Sequence, residues 1–192
     1  MIRPEEEVDA ILLASGFSRR FGAVNKLLVP FRGKPLARHT LDLVCAMKSF
    51  RRIFFITATS EVQTLAEGLP VQGIHNEHPE QGQRESIRLG VQASQGLYYM
   101  FFPCDQPLLQ ADTVRRLLCL RQPGAIVQPA FQGQPSSPAL FSSVFRAELL
   151  SLGPGAHPRD IKNRRPEAVI TAVLTEGASL RDIDAPAALG DR

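Results

Sequence analysis

Short, wholly apolar runs alternate along this chain with stretches whose apolar residues recur every three or four positions. The first run, over 8–15, is apolar on both faces, which predicts a strand buried in the middle of a parallel sheet. Pro35 suits the first turn of a helix that runs through Leu36, Leu41, Leu43, Val44 and Met47. Further strands are predicted over 53–57, 71–75 and 97–103, with a short helix over 61–67 between the first two. A polar loop over 76–83 leads into a helix carrying Ile87, Leu89, Val91 and Ala93. Beyond 103 the pattern predicts a helix over 112–120 and a strand over 125–130. It continues with a turn-rich piece leading into 139–141, helices over 143–150 and 158–165, and a late strand over 169–174.

Strands and helices in alternation mean a three-layer α/β/α domain with a mostly parallel sheet. In such sheets ligands bind beyond the carboxyl ends of the strands. Ser15-Gly16 closes the first strand and Asp105 the fourth, so two candidate groups fall on one edge. The chain of 192 residues is read as one domain over 1–192, and no internal repeat or low-complexity linker divides it.

Composition narrows the class. A hydrophobic fraction of 44%, a charged fraction of 21% and a net charge of +3 fit an ordinary globular domain and are too mild for nucleic acid. The basic cluster Arg159, Lys162, Arg164 and Arg165 has no aromatics interleaved, so a solvated helix face or an anion contact is expected there. The N-terminal residues are acidic and no apolar run approaches a bilayer span, so no signal peptide or membrane contact is expected. Cys45, Cys104 and Cys119 are widely spaced, which fits a reduced, cytoplasmic setting.

The chemistry concentrates after the first strand, in Ser15-Gly16-Phe17-Ser18-Arg19-Arg20-Phe21-Gly22 and Lys26. Small residues let backbone N–H groups approach an anion, and the cations neutralise charge that the amides leave, so the grouping suggests a polyphosphate cradle. Gly16 and Gly22 do not form the dinucleotide fingerprint, and Gly33-Lys34-Pro35 lacks the rest of a Walker loop and reads as a turn into the next helix. Asp105 follows an apolar strand, where a carboxylate facing a phosphate loop suits Mg²⁺; Asp112 is better placed than Asp105 to cap the following helix. Asp182 and Asp184, two apart, face the same way in an extended segment and either form a solvated turn or supply a second carboxylate to the cation. His75 and His78 lack third and fourth zinc ligands and are expected at the surface, and Cys104 is expected as a buried thiol.

These residues resemble one family in order along nearly the whole chain. Residues 13–22 with Asn25-Lys26-Leu27-Leu28, residues 82–90, Cys104-Asp105-Gln106-Pro107, residues 136–141 and Asp182-Ile183-Asp184-Ala185-Pro186 look like successive motifs of the molybdenum cofactor nucleotidyltransferases. The likeness is nearest to the cytidylyltransferase branch of the MobA-like NTP transferases, which includes molybdenum hydroxylase accessory proteins. The resemblance implies a Rossmann-like, GT-A-like nucleotidyltransferase fold with a nucleotide-binding part over 8–110 and an acceptor part over 111–189. It implies transfer of CMP from CTP to a molybdopterin-type acceptor with release of pyrophosphate, dependent on Mg²⁺, and a molybdenum hydroxylase apoenzyme as a partner.

By the same resemblance Leu13, Ala14, Ser15, Gly16, Ser18, Arg19, Arg20, Gly22, Lys26, Gly82 and Ser86 hold the nucleotide. Arg20, Lys26 and Asp105 are catalytic, Asp105 and Asp184 hold the metal, and Ser137 and Pro138 meet the acceptor. Relatives that take GTP carry a second glycine where this chain has Ser15, which favours cytosine. The family's later G-D-x-G-A-R stretch appears here as Gly153-Pro154-Gly155-Ala156-His157-Pro158-Arg159, without its acid. Two alternatives stay open: a nucleotidyltransferase for a sugar or alditol phosphate, and a non-catalytic protein that delivers the cofactor.

Overall fold

A computed structural model of the protein describes residues 7–16, 21 and 24–184. The first strand, β1 (Val8–Ala14), is buried along nearly its whole length, as a run that is apolar on both faces requires. It lies between β4 (Arg52–Thr57) and β6 (Tyr98–Pro103), parallel to both, with Leu13 level with Ile56 on one side and Pro103 on the other. Next to β4 runs β5 (Gln72–His75), also parallel. On the far side of β6 come β9 (Ala139–Ser142), then β7 (Ile126–Phe131), then the edge strand β10 (Val169–Val173). The chain thus moves from β1 in one direction to β4 and β5 and in the other to β6, so the strand order reverses between β1 and β6.

Alternate residues of β1 enter different cores. Ala10, Leu12 and Ala14 pack with Ala37, Leu41 and Val44 of α1 (Leu36–Ala46) and with Val114 and Leu117 of α4 (Ala111–Cys119). Ile11 faces the other way, toward Ile87 and Val91 of α3 (Gln83–Ala93), Leu149 of α5 (Arg146–Leu150) and Ile161 of α6 (Pro158–Arg164). Two helical layers therefore cover the sheet, each by burying one apolar stripe. Each fully buried aliphatic or aromatic side chain contributes about 1.5–3 kcal/mol to holding a layer down.

The sheet is mostly parallel, as expected, with antiparallel pairing where β9 meets β6 and β7 and where the short β8 (Gln134–Pro135) meets β7. Two expectations are corrected. Gly33-Lys34-Pro35 does not simply turn into the helix: β2 (Pro30–Phe31) and β3 (Lys34–Pro35) form a small hairpin. Its two-residue turn holds Arg32 and Gly33 at φ +45° and +84°, so Pro35 ends as the residue just before α1 rather than within its first turn. Finally, the residue capping α4 is Gln110, whose side chain makes no capping bond, and Asp112 lies inside the first turn, where its charge meets the helix dipole favourably.

Candidate active site

The carboxyl ends of β1 and β6 lie side by side, and a hydrogen bond from the Cys104 N–H to the Leu13 carbonyl (3.4 Å) ties them together. Ser15 and Gly16 therefore stand beside Cys104 and Asp105, at the reversal of strand order where open α/β sheets form their ligand crevice. The Ser15 hydroxyl is buried and donates to the Ile56 carbonyl at the end of β4 (3.1 Å). Its hydrogen bond fixes the bend rather than pointing into the crevice.

Lys26 reaches this edge from a short helical turn, Lys26–Leu28, whose preceding Asn25 side chain accepts from the Leu27 N–H. Buried Leu27 anchors that turn in the core. From there the Lys26 ammonium donates to Asp105 Oδ2 (2.6 Å), to Asp184 Oδ1 (3.1 Å) and to the Ile183 carbonyl (3.4 Å). Residues 182–184 are brought in by two contacts. The Ile183 N–H donates to the Asp105 carbonyl (2.9 Å), and the Ile183 side chain is buried with Phe31 and Leu36.

Electrostatics follow from this crowding. Burial alone would lower the pKa of Lys26, but the Asp105 and Asp184 carboxylates outweigh it and the net shift is upward, so the ammonium keeps its proton. Asp182 lies at the surface, yet desolvation of its carboxyl and the neighbouring Asp105 charge push its pKa up to about 6. The second oxygen of Asp105, Oδ1, is buried and accepts no hydrogen bond from the described residues. A buried carboxylate oxygen without a donor is costly, and a cation is the partner that would satisfy it.

A cavity of about 210 Å³ opens on this cluster. Leu13, Ser15, Gly16, Lys26 and Asp105 form one wall, and Pro79, Gly82, Gln83 and Ser86 at the start of α3 form the other. Gly82 adopts φ +76°, a conformation that glycine alone takes without strain, and so turns the chain sharply into α3. The Ser86 hydroxyl accepts from Asn76 Nδ2 (3.2 Å), which holds the loop before the helix against the helix itself. A second cavity of about 220 Å³ adjoins the first through Leu13, Gln83 and Pro103, which line both. Its remaining wall includes Ser137, Phe141, His157, Arg159 and Lys162.

Most of the expected site residues that the structure describes do converge. Leu13, Ser15, Gly16, Lys26, Gly82, Ser86 and Asp105 line the first cavity, Asp184 joins them through Lys26, and Ser137 lines the second. Ala14 does not, because its side chain is turned into the core, and Pro138 lies beside the second cavity without lining it. Ser18, Arg19, Arg20 and Gly22 lie outside the described residues. Asp105 and Asp184 share the Lys26 ammonium, and among the described residues no group of three or more His, Cys, Asp or Glu side chains is arranged for a metal ion. His75 and His78 are exposed, and burial pushes the Cys104 thiol well up, so it is inert.

Gln83 falls in the motif over 82–90, and Lys162 in the cluster expected as a solvated face or an anion contact, but neither was assigned to the site, and Gln128 was not singled out. Gln128 carried a signal, as the lone amide inside the apolar run 125–130, because a buried amide demands a partner.

A three-layer α/β/α fold with its crevice at the β1/β6 reversal, where a lysine and a carboxylate meet, gives the chain its candidate active site. The MobA-like NTP transferase domain matches residues 10–169, and the chain belongs to that family. It is 31% identical over 136 residues to a molybdenum cofactor guanylyltransferase of Shewanella putrefaciens, covering 69% of this chain and 67% of that protein. A nucleotidyl transferase from Methanothermobacter thermautotroptrophicus superposes with a TM-score of 0.84 at 18% identity, over 95% of this chain and 94% of that one. Rv0371c from Mycobacterium tuberculosis superposes with a TM-score of 0.82 at 19% identity, over 96% of both chains. The protein is thus a nucleotidyltransferase acting on small molecules, and no helix among the described residues is long and apolar enough to cross a membrane.

Proposed function

We propose that the protein transfers CMP from CTP to the terminal phosphate of a molybdopterin-type cofactor and releases pyrophosphate. The observation that carries this reading is the pair of adjoining cavities at the strand reversal, with Lys26 and Asp105 on the wall of the first. Two substrates that must meet need two connected sites; the part over 8–110 lines the first, and the second is walled by both parts, with Ser137, Phe141, His157, Arg159 and Lys162 coming from the part over 111–189. Nucleotidyl transfer needs little covalent help from the protein; it needs positioning and charge neutralisation. The backbone at Ser15 and Gly16 and the ammonium of Lys26 hold the triphosphate, and Lys26 stabilises the charge that grows on departing pyrophosphate. Asp105 and Asp184 fit a Mg²⁺ ion through the unsatisfied Asp105 Oδ1 and the second carboxylate beside it. That ion, when bound, supplies further neutralisation of phosphate charge.

CTP is favoured over GTP by Ser15. A side chain stands where a second glycine would leave the cavity wall open, and its hydrogen bond to Ile56 keeps it there. GTP is the second reading, since the relative at 31% identity is named a guanylyltransferase. Pyrophosphate release with CTP or GTP, Mg²⁺ and molybdopterin separates them. The expected result is at least about ten-fold higher kcat/KM with CTP, a difference of about 1.4 kcal/mol in transition-state stabilisation. Ser15→Gly should narrow that ratio. Equal or better turnover with GTP would overturn the cytidylyl assignment, and no pyrophosphate with either would overturn the molybdopterin acceptor.

A further inference from the structure

The second cavity is cationic in an unusual way. Lys162, on α6, has its ammonium turned inward and donates to Gln128 Oε1 on β7 (2.6 Å). Gln128 is itself positioned by a contact from its Nε2 to the Thr171 hydroxyl on β10 (3.5 Å). No carboxylate among the described residues pairs with Lys162, and none of the residues lining the cavity is acidic. Arg164 and Arg165, at the end of this helix and just past it, are used differently: they pair with Glu148 at 3.4 and 3.5 Å. A partly buried cation whose protein partner is a neutral amide has desolvation cost and no counter-charge, and burial alone lowers its pKa. Arg159 stands exposed at the mouth of the same cavity. The floor is apolar, with Phe101 and Phe141 in edge-to-face contact at 5.6 Å.

We infer that Lys162, with Arg159, seats the phosphate monoester of the acceptor in this second cavity, with the body of the acceptor against Ile87, Phe101 and Phe141. The inference rests on the reading above that the acceptor is phosphorylated, and it names the residues that select for that phosphate. A dianionic phosphate supplies the counter-charge that Lys162 lacks, and charge-assisted hydrogen bonds to it are stronger than neutral ones. Leu13, Gln83 and Pro103, which line both cavities, connect this seat to the nucleotide cavity. An oxygen of the monoester forms a bond to the α-phosphorus. The bond from that phosphorus to the bridging oxygen breaks, and pyrophosphate leaves with the electron pair. An acceptor with a hydroxyl in place of the phosphate gains nothing from Lys162.

Two measurements test the seat. In protein labelled with ¹³Cε-lysine, the resonance missing from Lys162→Met is that of Lys162. In the wild-type protein it should move on titration with phenyl phosphate and stay still with benzyl alcohol. In turnover, Lys162→Met should raise the KM for the phosphorylated acceptor about ten-fold or more, the size expected for a lost charge-assisted hydrogen bond, with the KM for CTP within about two-fold. Lys162→Arg should recover most of that loss. A resonance unmoved by phenyl phosphate overturns the inference, and so does an acceptor KM unchanged in Lys162→Met. If the wild-type protein releases no pyrophosphate with molybdopterin, the acceptor reading of the previous section fails, while the phenyl phosphate titration still decides the seat.

Discussion

The Lys26 ammonium joins one carboxylate beyond β6, Asp105, to another, Asp184, so its removal is felt both in stability and in turnover. Lys26→Met leaves neither oxygen of Asp105 with a side-chain partner and should destabilise the fold by about 1–3 kcal/mol, read from urea unfolding. Pyrophosphate release should fall by about 100-fold or more, the size of effect seen when one fixed donor to developing charge is lost. Asp182 makes a pH prediction. Its pKa in the folded protein, about 6, lies above its ordinary 3.8, so the folded state binds the extra proton between those values. Stability contributed by the protonated form is present below that window and is lost as pH rises through about 6. Asp182→Asn should therefore gain stability relative to wild type as pH climbs from 4 to 7, seen as a widening gap between urea midpoints. Asp105 was legible in the sequence because it is a charge placed just after an apolar run, and Lys26 because it follows the small-residue and arginine loop that closes the first strand. The direction of the Ser15 hydroxyl was not, since its partner at Ile56 lies 41 positions away and only the sheet brings them together.

At the scale of elements, alternation of apolar runs with helical periodicity is enough to give the layers, because each run buries both faces and each helix one stripe. The reversed strand β9 is missed by that pattern, since burial says nothing of direction. The connection does say it. Only residues 132–138 separate β7 from β9, far too few for a parallel crossover, so the chain must fold straight back. The contact of α3 with β1 is equally invisible in the sequence and sharply testable. A Cβ at Gly90 would lie 2.4 Å from Ile11 Cγ2, so the helix sits against the strand at a distance that only glycine permits. Gly90→Ala gains roughly 1 kcal/mol of helix propensity, but overpacking costs about 1–3 kcal/mol, and net destabilisation is expected. Ile11→Ala alone should cost about 2–5 kcal/mol. The double variant should cost less than the two together, because each change makes room for the other. Additive costs would show that the two residues do not crowd.

The molecule as a whole is polarised along its strands: the carboxyl ends carry chemistry and the amino ends carry an anchor. Asp9, fully buried near the start of β1, accepts two hydrogen bonds from the Arg51 guanidinium (3.0 and 2.7 Å), one from the Ser94 hydroxyl (2.6 Å) and others from the Gln95 and Gly96 N–H groups (3.2 and 3.0 Å). One carboxylate thus pins the entries to β1, β4 and β6, three adjacent strands, two of which, β1 and β6, form the crevice at their far ends. Asp9→Ala strands all of those donors at once. Breaking a buried, hydrogen-bonded ion pair costs about 3–5 kcal/mol, a large part of the roughly 5–15 kcal/mol that holds a domain folded. The melting temperature should fall by about 6–20 °C. Because the anchor lies a full strand length from Lys26 and Asp105, kcat and KM of the remaining folded enzyme should change by less than about two-fold at a temperature well below the new midpoint, since distant sites act independently. Circular dichroism melts beside pyrophosphate release at 15 °C would read both quantities. A variant that melts early yet turns over normally would place Asp9 with the scaffold; a loss of turnover without a loss of stability would mean that the two ends of the sheet are coupled.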